Sequence, residues 1–160
     1  MPTLRSSSIA DTRAIAAAVA GLAQRGDVIV LAGEMGAGKT AFAQGFGSAL
    51  GVTEPMTSPT FTLVHEYQVG KLTLLHADLY RLSTQHEVAD LALAELVEAD
   101  GVLLVEWGDV VASMLGEHLM VRLSTVDHSD DERVVEVSAV GRAWAVRWDR
   151  LCQRLGEWTC

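Results

Sequence analysis

The segment Gly33-Glu34-Met35-Gly36-Ala37-Gly38-Lys39-Thr40 constrains this chain more than any other. It fits GxxxxGK[ST] in full and follows Val28-Ile29-Val30-Leu31, a continuous apolar run of the kind buried parallel strands show. Glycines let the main chain bend so that successive N–H groups face an anion, with no Cβ in the way. A helix read from Lys39 to Leu50 would aim its first-turn N–H groups and the positive end of its dipole at the same charge. Such a loop takes a phosphate chain: Lys39 would reach the β- and γ-phosphates, and the Thr40 hydroxyl would ligate Mg²⁺. No NKxD-type string is present, so the residues leave the choice between adenine and guanine open.

Signals on either side of this loop alternate between helix and strand. Ser8 and Asp11 read as a capping pair, and Ile15, Val19 and Leu22 mark one face of the helix that follows. Residues 51–59 read as a loop. Residues 61–67 and 72–77 read as strands joined in a hairpin at Gly70-Lys71, and residues 82–97 as a helix. Residues 102–105 form a second buried-strand candidate. Two more strands, 119–123 and 133–140, flank an acidic turn at 127–132, and the end of the chain reads as helical. There, Trp144, Trp148, Leu151 and Leu155 share one face, while Arg147, Arg150 and Arg154 share another, read as solvated or as meeting a partner or tRNA phosphate. No repeat or linker interrupts the pattern. The expectation is one α/β domain over residues 1–160, a P-loop NTPase-like three-layer arrangement with a mixed, mainly parallel central sheet flanked by helices.

Charge and composition narrow the functions. The 160 residues carry a net charge of −9, from 21 acids against 12 bases, which disfavours unaided nucleic-acid binding. No apolar run approaches the length of a membrane span, and no basic segment leads into a long apolar core near Met1. Cys152 and Cys160 make neither a disulfide framework nor a CxxC pair. A cytoplasmic protein without membrane contact is expected. His65, His76, His86, His118 and His128 lack HExxH or paired metal-ligand spacing and read as structural; His76 and Asp78 would share a strand face, but two such ligands without a third make a weak case for a transition-metal site.

Two acids stand where strands should end. Asp78 follows the run 72–77, and Glu106 follows 102–105. In open α/β sheets ligands collect at the carboxyl ends of strands. One of these carboxylates would hold Mg²⁺, directly or through water, and the other would orient or deprotonate the attacking water. The spacing does not decide between them.

Gly33 to Thr40, Ser58-Pro59-Thr60-Phe61, His76-Ala77-Asp78-Leu79-Tyr80-Arg81-Leu82 and Glu106-Trp107 occur together in one bacterial family, in this order and at similar intervals. From about Ser8 to Val140 the chain resembles TsaE, the small ATPase of tRNA threonylcarbamoyladenosine biosynthesis. The resemblance implies an ATP-hydrolysing accessory protein working with the TsaD–TsaB pair, and touching tRNA only through that complex. It implies a nucleotide loop of Gly36, Ala37, Gly38, Lys39, Thr40 and Ala41, magnesium ligands Thr40 and Glu106, and a Walker-B-like Asp78. Ser58 and Thr60 would belong to a loop that senses the γ-phosphate, Trp107 would neighbour the catalytic acid, and the helix start near Ile9 would approach the base. The chain departs from the usual family pattern at Glu34, where Asp is common, and at Gly108-Asp109, where Pro precedes an acidic or polar residue.

Three functional classes follow: an ATPase serving a larger enzyme, a small-molecule kinase using the same loop, and a nucleotide-gated binding module. Small kinases commonly carry an arginine-rich lid, and the middle of this chain offers only Arg81. The motif set favours the accessory ATPase. It leaves oligomeric state unspecified, a monomer being one option.

Overall fold

The computed structural model describes residues 2–57, 64–79, 101–106 and 115–159. Seven strands form one sheet: β1 (Thr3–Ser6), β2 (Val28–Ala32), β3 (Val64–Val69), β4 (Leu72–Asp78), β5 (Gly101–Glu106), β6 (His118–Val126) and β7 (Ser129–Val140). Their order is β1-β7-β6-β2-β5-β4-β3. The central strands β6, β2, β5 and β4 pair in parallel. Antiparallel pairs lie outside them, β4 with β3 and β6 with β7, and β1 closes the far edge against β7. Because β1 reverses a strand that is itself reversed, five of the seven strands point the same way, so the sheet is mixed and mainly parallel.

The residues of β2 and β5 are buried without exception, which is why both read as unbroken apolar runs rather than as alternation. One set of their side chains, with Ile29, Leu31, Val102 and Leu104, joins a large core with helices α1 (Ile9–Ala20) and α2 (Lys39–Leu50) and the C-terminal residues Trp144, Leu151 and Leu155. The alternate set, Val28, Val30, Leu103 and Val105 with Leu75 and Ala77, forms a second core. The expected helix over 82–97 lies outside the described residues.

Helix α1 begins as its sequence requires. The Ser8 hydroxyl accepts from the Asp11 N–H at 3.1 Å, and the Asp11 carboxylate reaches back to the Ser7 N–H at 2.9 Å. Ile15 and Val19 are buried on its inner face, and Leu22, just past its end, is buried as well. At Gly45 the two helices touch: a Cβ there would stand 2.5 Å from the Arg13 carbonyl oxygen. The β3–β4 hairpin turns at Gly70-Lys71, as expected.

Two expectations are corrected. The acidic segment 127–132 is not a turn, for β7 already starts at Ser129 and pairs with Val126, leaving Asp127-His128 as the connection. His128 adopts φ 64° there, one of the few non-glycine types that tolerates it, and a register shift at Thr125/Val126 lets the hairpin close tightly.

The C-terminal helix is also broken, into α3 (Arg142–Ala145) and α4 (Trp148–Arg154), and Arg147 between them is buried rather than solvated. Its guanidinium forks onto the Asp27 carboxylate at 2.7 and 2.8 Å, donates to the Leu22 carbonyl at 2.7 Å, and lies 4.1 Å from the Trp144 ring centre. Helical periodicity put Arg147 among the polar positions, and a long-range ion pair overrode it. No helix of the described residues is long and apolar enough to cross a membrane.

Candidate nucleotide site

The strand order brings the candidate residues to one sheet end. Leu31 of β2 lies in register with Glu106 of β5, which lies in register with Asp78 of β4. β2 runs on through Ala32 into Gly33, so the glycine-rich loop leaves the sheet beside both carboxylates. Glu106 is buried and Asp78 half-buried.

The loop is shaped by conformations that favour glycine. Gly38, with φ 105°, turns the chain into α2, whose first turn has no side-chain cap. At Gly33 a Cβ would stand 2.4 Å from the Leu123 carbonyl oxygen, so the loop can lie against β6 only without a side chain there. The buried Lys39 curls back over the loop, and its ammonium donates to the carbonyls of Gly33 and Glu34 at 2.7 and 2.8 Å. Gly36, Ala37, Gly38, Lys39, Thr40 and Ala41 thus form one continuous bend and first helical turn. The start of α1 is brought beside it, with the Thr12 methyl 3.9 Å from where a Gly38 Cβ would be, while Ile9 is largely exposed. Ser58, Thr60 and Trp107 lie outside the described residues, as does Gly108.

The donors fit a hard cation. Thr40 offers a hydroxyl, and Asp78 and Glu106 offer carboxylates, the oxygen set Mg²⁺ prefers alongside phosphate oxygens. Among the described residues, no three His, Cys, Asp or Glu side chains gather as a metal cluster of their own.

Two residues join this site that sequence reasoning did not place there. Arg133 of β7 donates from Nε to the Ala37 carbonyl at 3.2 Å and from Nη2 to the Gly36 carbonyl at 3.1 Å. Its Nη1 is meanwhile held by the carbonyls of Asp130 and Glu132 at 2.8 and 2.7 Å. A peptide's N–H points opposite its C=O, so the bond at Ala37 directs the Gly38 N–H away from the guanidinium. The other is His76, read above as structural, whose Nε2 lies 2.6 Å from Glu106 Oε2 in a buried pair. Only Ala77 separates His76 from Asp78 on one strand, so both project from the same sheet face, and that alternation was the available signal. For Arg133 there was none, since the contact joins residues 96 apart.

Comparison with known proteins agrees with this geometry. The family model described as "Threonylcarbamoyl adenosine biosynthesis protein TsaE" matches residues 6–135. The tRNA threonylcarbamoyladenosine biosynthesis protein TsaE of Bacillus subtilis is 41% identical over 148 residues, covering 92% of this chain and 89% of that protein. The protein of the same name from Treponema pallidum is 41% identical over 133 residues, covering 83% of this chain and 97% of that one. The crystal structure of Bacillus subtilis YdiB superposes with a TM-score of 0.75 at 36% identity, covering 97% of this chain and 93% of that one. With glycine loop, strand-end acids and mixed sheet all in the expected places, the chain belongs to the TsaE family of tRNA threonylcarbamoyladenosine biosynthesis proteins.

Proposed function

We propose that the chain is a Mg²⁺-dependent ATPase, acting as one domain over residues 1–160, that supports the TsaD–TsaB pair in threonylcarbamoyl modification of the adenosine beside the tRNA anticodon. The observation that carries this reading is the convergence of an uncapped helix start, a buried ammonium and two strand-end carboxylates on one sheet end. In the cytoplasm the loop from Gly36 to Ala41 binds the phosphates of ATP through main-chain N–H groups, and Lys39 exchanges its loop carbonyls for β- and γ-oxygens. Thr40 and Glu106 would hold Mg²⁺, which when bound neutralises charge developing on the phosphate oxygens. Asp78 orients the attacking water from the neighbouring strand. Ile9 borders the base. By the family resemblance, Ser58 and Thr60 read out the γ-phosphate and Trp107 packs beside the catalytic acid.

Hydrolysis measured with and without the TsaD–TsaB pair tests this reading. Stimulated release of inorganic phosphate is expected. Glu106→Ala should keep ATP binding yet lose about a hundredfold or more in rate, the usual scale for a positioned catalytic group. Lys39→Ala should lose binding as well. Phosphate appearing on a metabolite would instead establish the kinase, and turnover indifferent to the pair would remove the accessory role.

A further inference from the structure

We propose that His76 is a positioning residue for Glu106, holding the carboxylate that the reading above assigns to the magnesium ion; the proposal rests on that reading. The two side chains come from adjacent parallel strands and are 1% and 3% exposed. Their contact is short, 2.6 Å from Nε2 to Oε2, just under the roughly 2.7–2.9 Å usual for charge-assisted N–H···O⁻ hydrogen bonds and closer than incidental packing brings such atoms.

The far side of the imidazole makes the bond directional. His76 Nδ1 is buried and has no hydrogen-bond partner among the described residues. A proton on Nδ1 would bury an unpaired N–H, whereas a bare Nδ1 leaves only a lone pair unsatisfied. The tautomer that fits carries its proton on Nε2 and donates it to Glu106. His76 then plays towards Glu106 the part that outer partners play towards metal-binding carboxylates: it fixes the rotamer and the plane of the group. Exposed strand-end acids need no such partner. A buried one, whose role is to meet a cation at a set place, gains its orientation from the imidazole.

Mn²⁺ binding to the purified chain with ADP, read by electron paramagnetic resonance, tests this in the wild type, His76→Leu and His76→Gln. Nucleotide affinity without metal is measured alongside. The Leu variant should bind Mn²⁺ about 10- to 100-fold more weakly at unchanged metal-free nucleotide affinity, the usual cost of losing an outer partner. The Gln variant, whose amide N–H donates from a similar place, should recover most of that loss. In the folded wild type, nitrogen-15 spectra of the imidazole should show the proton on Nε2 and a bare Nδ1, a readout that needs no variant to fold.

Equal Mn²⁺ affinity in all three proteins, or a proton on Nδ1, would overturn the role of His76. Parallel loss of metal and nucleotide binding in both variants would overturn it too, in favour of a purely structural histidine. Failure of the wild type to bind Mn²⁺ with nucleotide would instead defeat the magnesium site itself, a separate result.

Discussion

Replacing Arg133 by Ala should weaken ATP binding about tenfold while leaving the fold intact, and the size follows from four hydrogen bonds. Two of them, to the Asp130 and Glu132 carbonyls, lie within the β6–β7 hairpin and anchor the guanidinium there. The other two, at 3.1 and 3.2 Å to Gly36 and Ala37, are the only ones that reach the loop, and they sit at the long end of the N–H···O range. At about 0.5–1.5 kcal/mol each, the pair stabilises the braced loop by about 1–3 kcal/mol, or about 5- to 150-fold. Apparent affinity falls in proportion to the fraction of chains that keep the competent loop, and because both bonds are long, a loss towards the lower end of that range, about tenfold, is expected. Titration calorimetry of ATP at fixed Mg²⁺ and ionic strength measures it. Arg133→Lys should recover only part of the loss, because an ammonium keeps the charge but cannot fork onto two carbonyls. Binding by the Ala variant within about twofold of wild type would refute the brace, and full recovery in the Lys variant would assign the effect to charge alone.

Arg147→Met leaves the Asp27 carboxylate buried without its forked partner; a loss of about 3–5 kcal/mol is expected. For a chain this size that lowers the melting temperature by about 6–20 °C in scanning calorimetry, and a fall under about 3 °C would contradict the pairing. Gly45→Ala puts a methyl 2.5 Å from the Arg13 carbonyl oxygen, where main chain must move, so overpacking should cost about 1–3 kcal/mol in urea unfolding. An unchanged midpoint would mean the two helices part freely. Burial raises the Tyr67 phenol above its ordinary 10.0, with Glu54 adding to the effect against a lowering hydrogen bond from Thr57. The folded state therefore resists ionisation: this contribution to stability is complete below that ordinary value and is lost as pH climbs through the raised one. Urea midpoints measured against pH should fall less steeply in Tyr67→Phe than in wild type, and identical alkaline slopes would exclude Tyr67 as the cause.

What could be read from the residues was what local spacing encodes. The unit β2–loop–α2 was legible to the residue at the Lys39–Leu50 helix, because a buried parallel strand, a glycine-rich bend and a helix each leave a pattern in consecutive residues. Asp78 and Glu106 were legible as strand ends, and the sheet order then put them side by side. His76 carried the same signal as Asp78, yet its role depends on which neighbour it meets across two strands, and strand register is not written in either strand alone. Arg133 and Arg147 were illegible for a stronger reason. Each reaches, with part of its guanidinium, groups some 96 to 125 residues away, and helical or strand periodicity classes such a residue only as polar. The hairpin at Asp127-His128 misled because acidic residues usually mark turns, whereas here Asp130, Asp131 and Glu132 are carried by β7, the strand next to the sheet's edge strand β1.

Calorimetric titration of the purified chain with ATP, in the presence and absence of Mg²⁺, bears most directly on whether the bend at Gly33–Thr40 is a working phosphate cradle. Saturable binding that tightens with Mg²⁺ and disappears in Lys39→Ala is the expected result. Absence of any Mg²⁺-dependent affinity for ATP in the wild-type chain, or full affinity in Lys39→Ala, would contradict it.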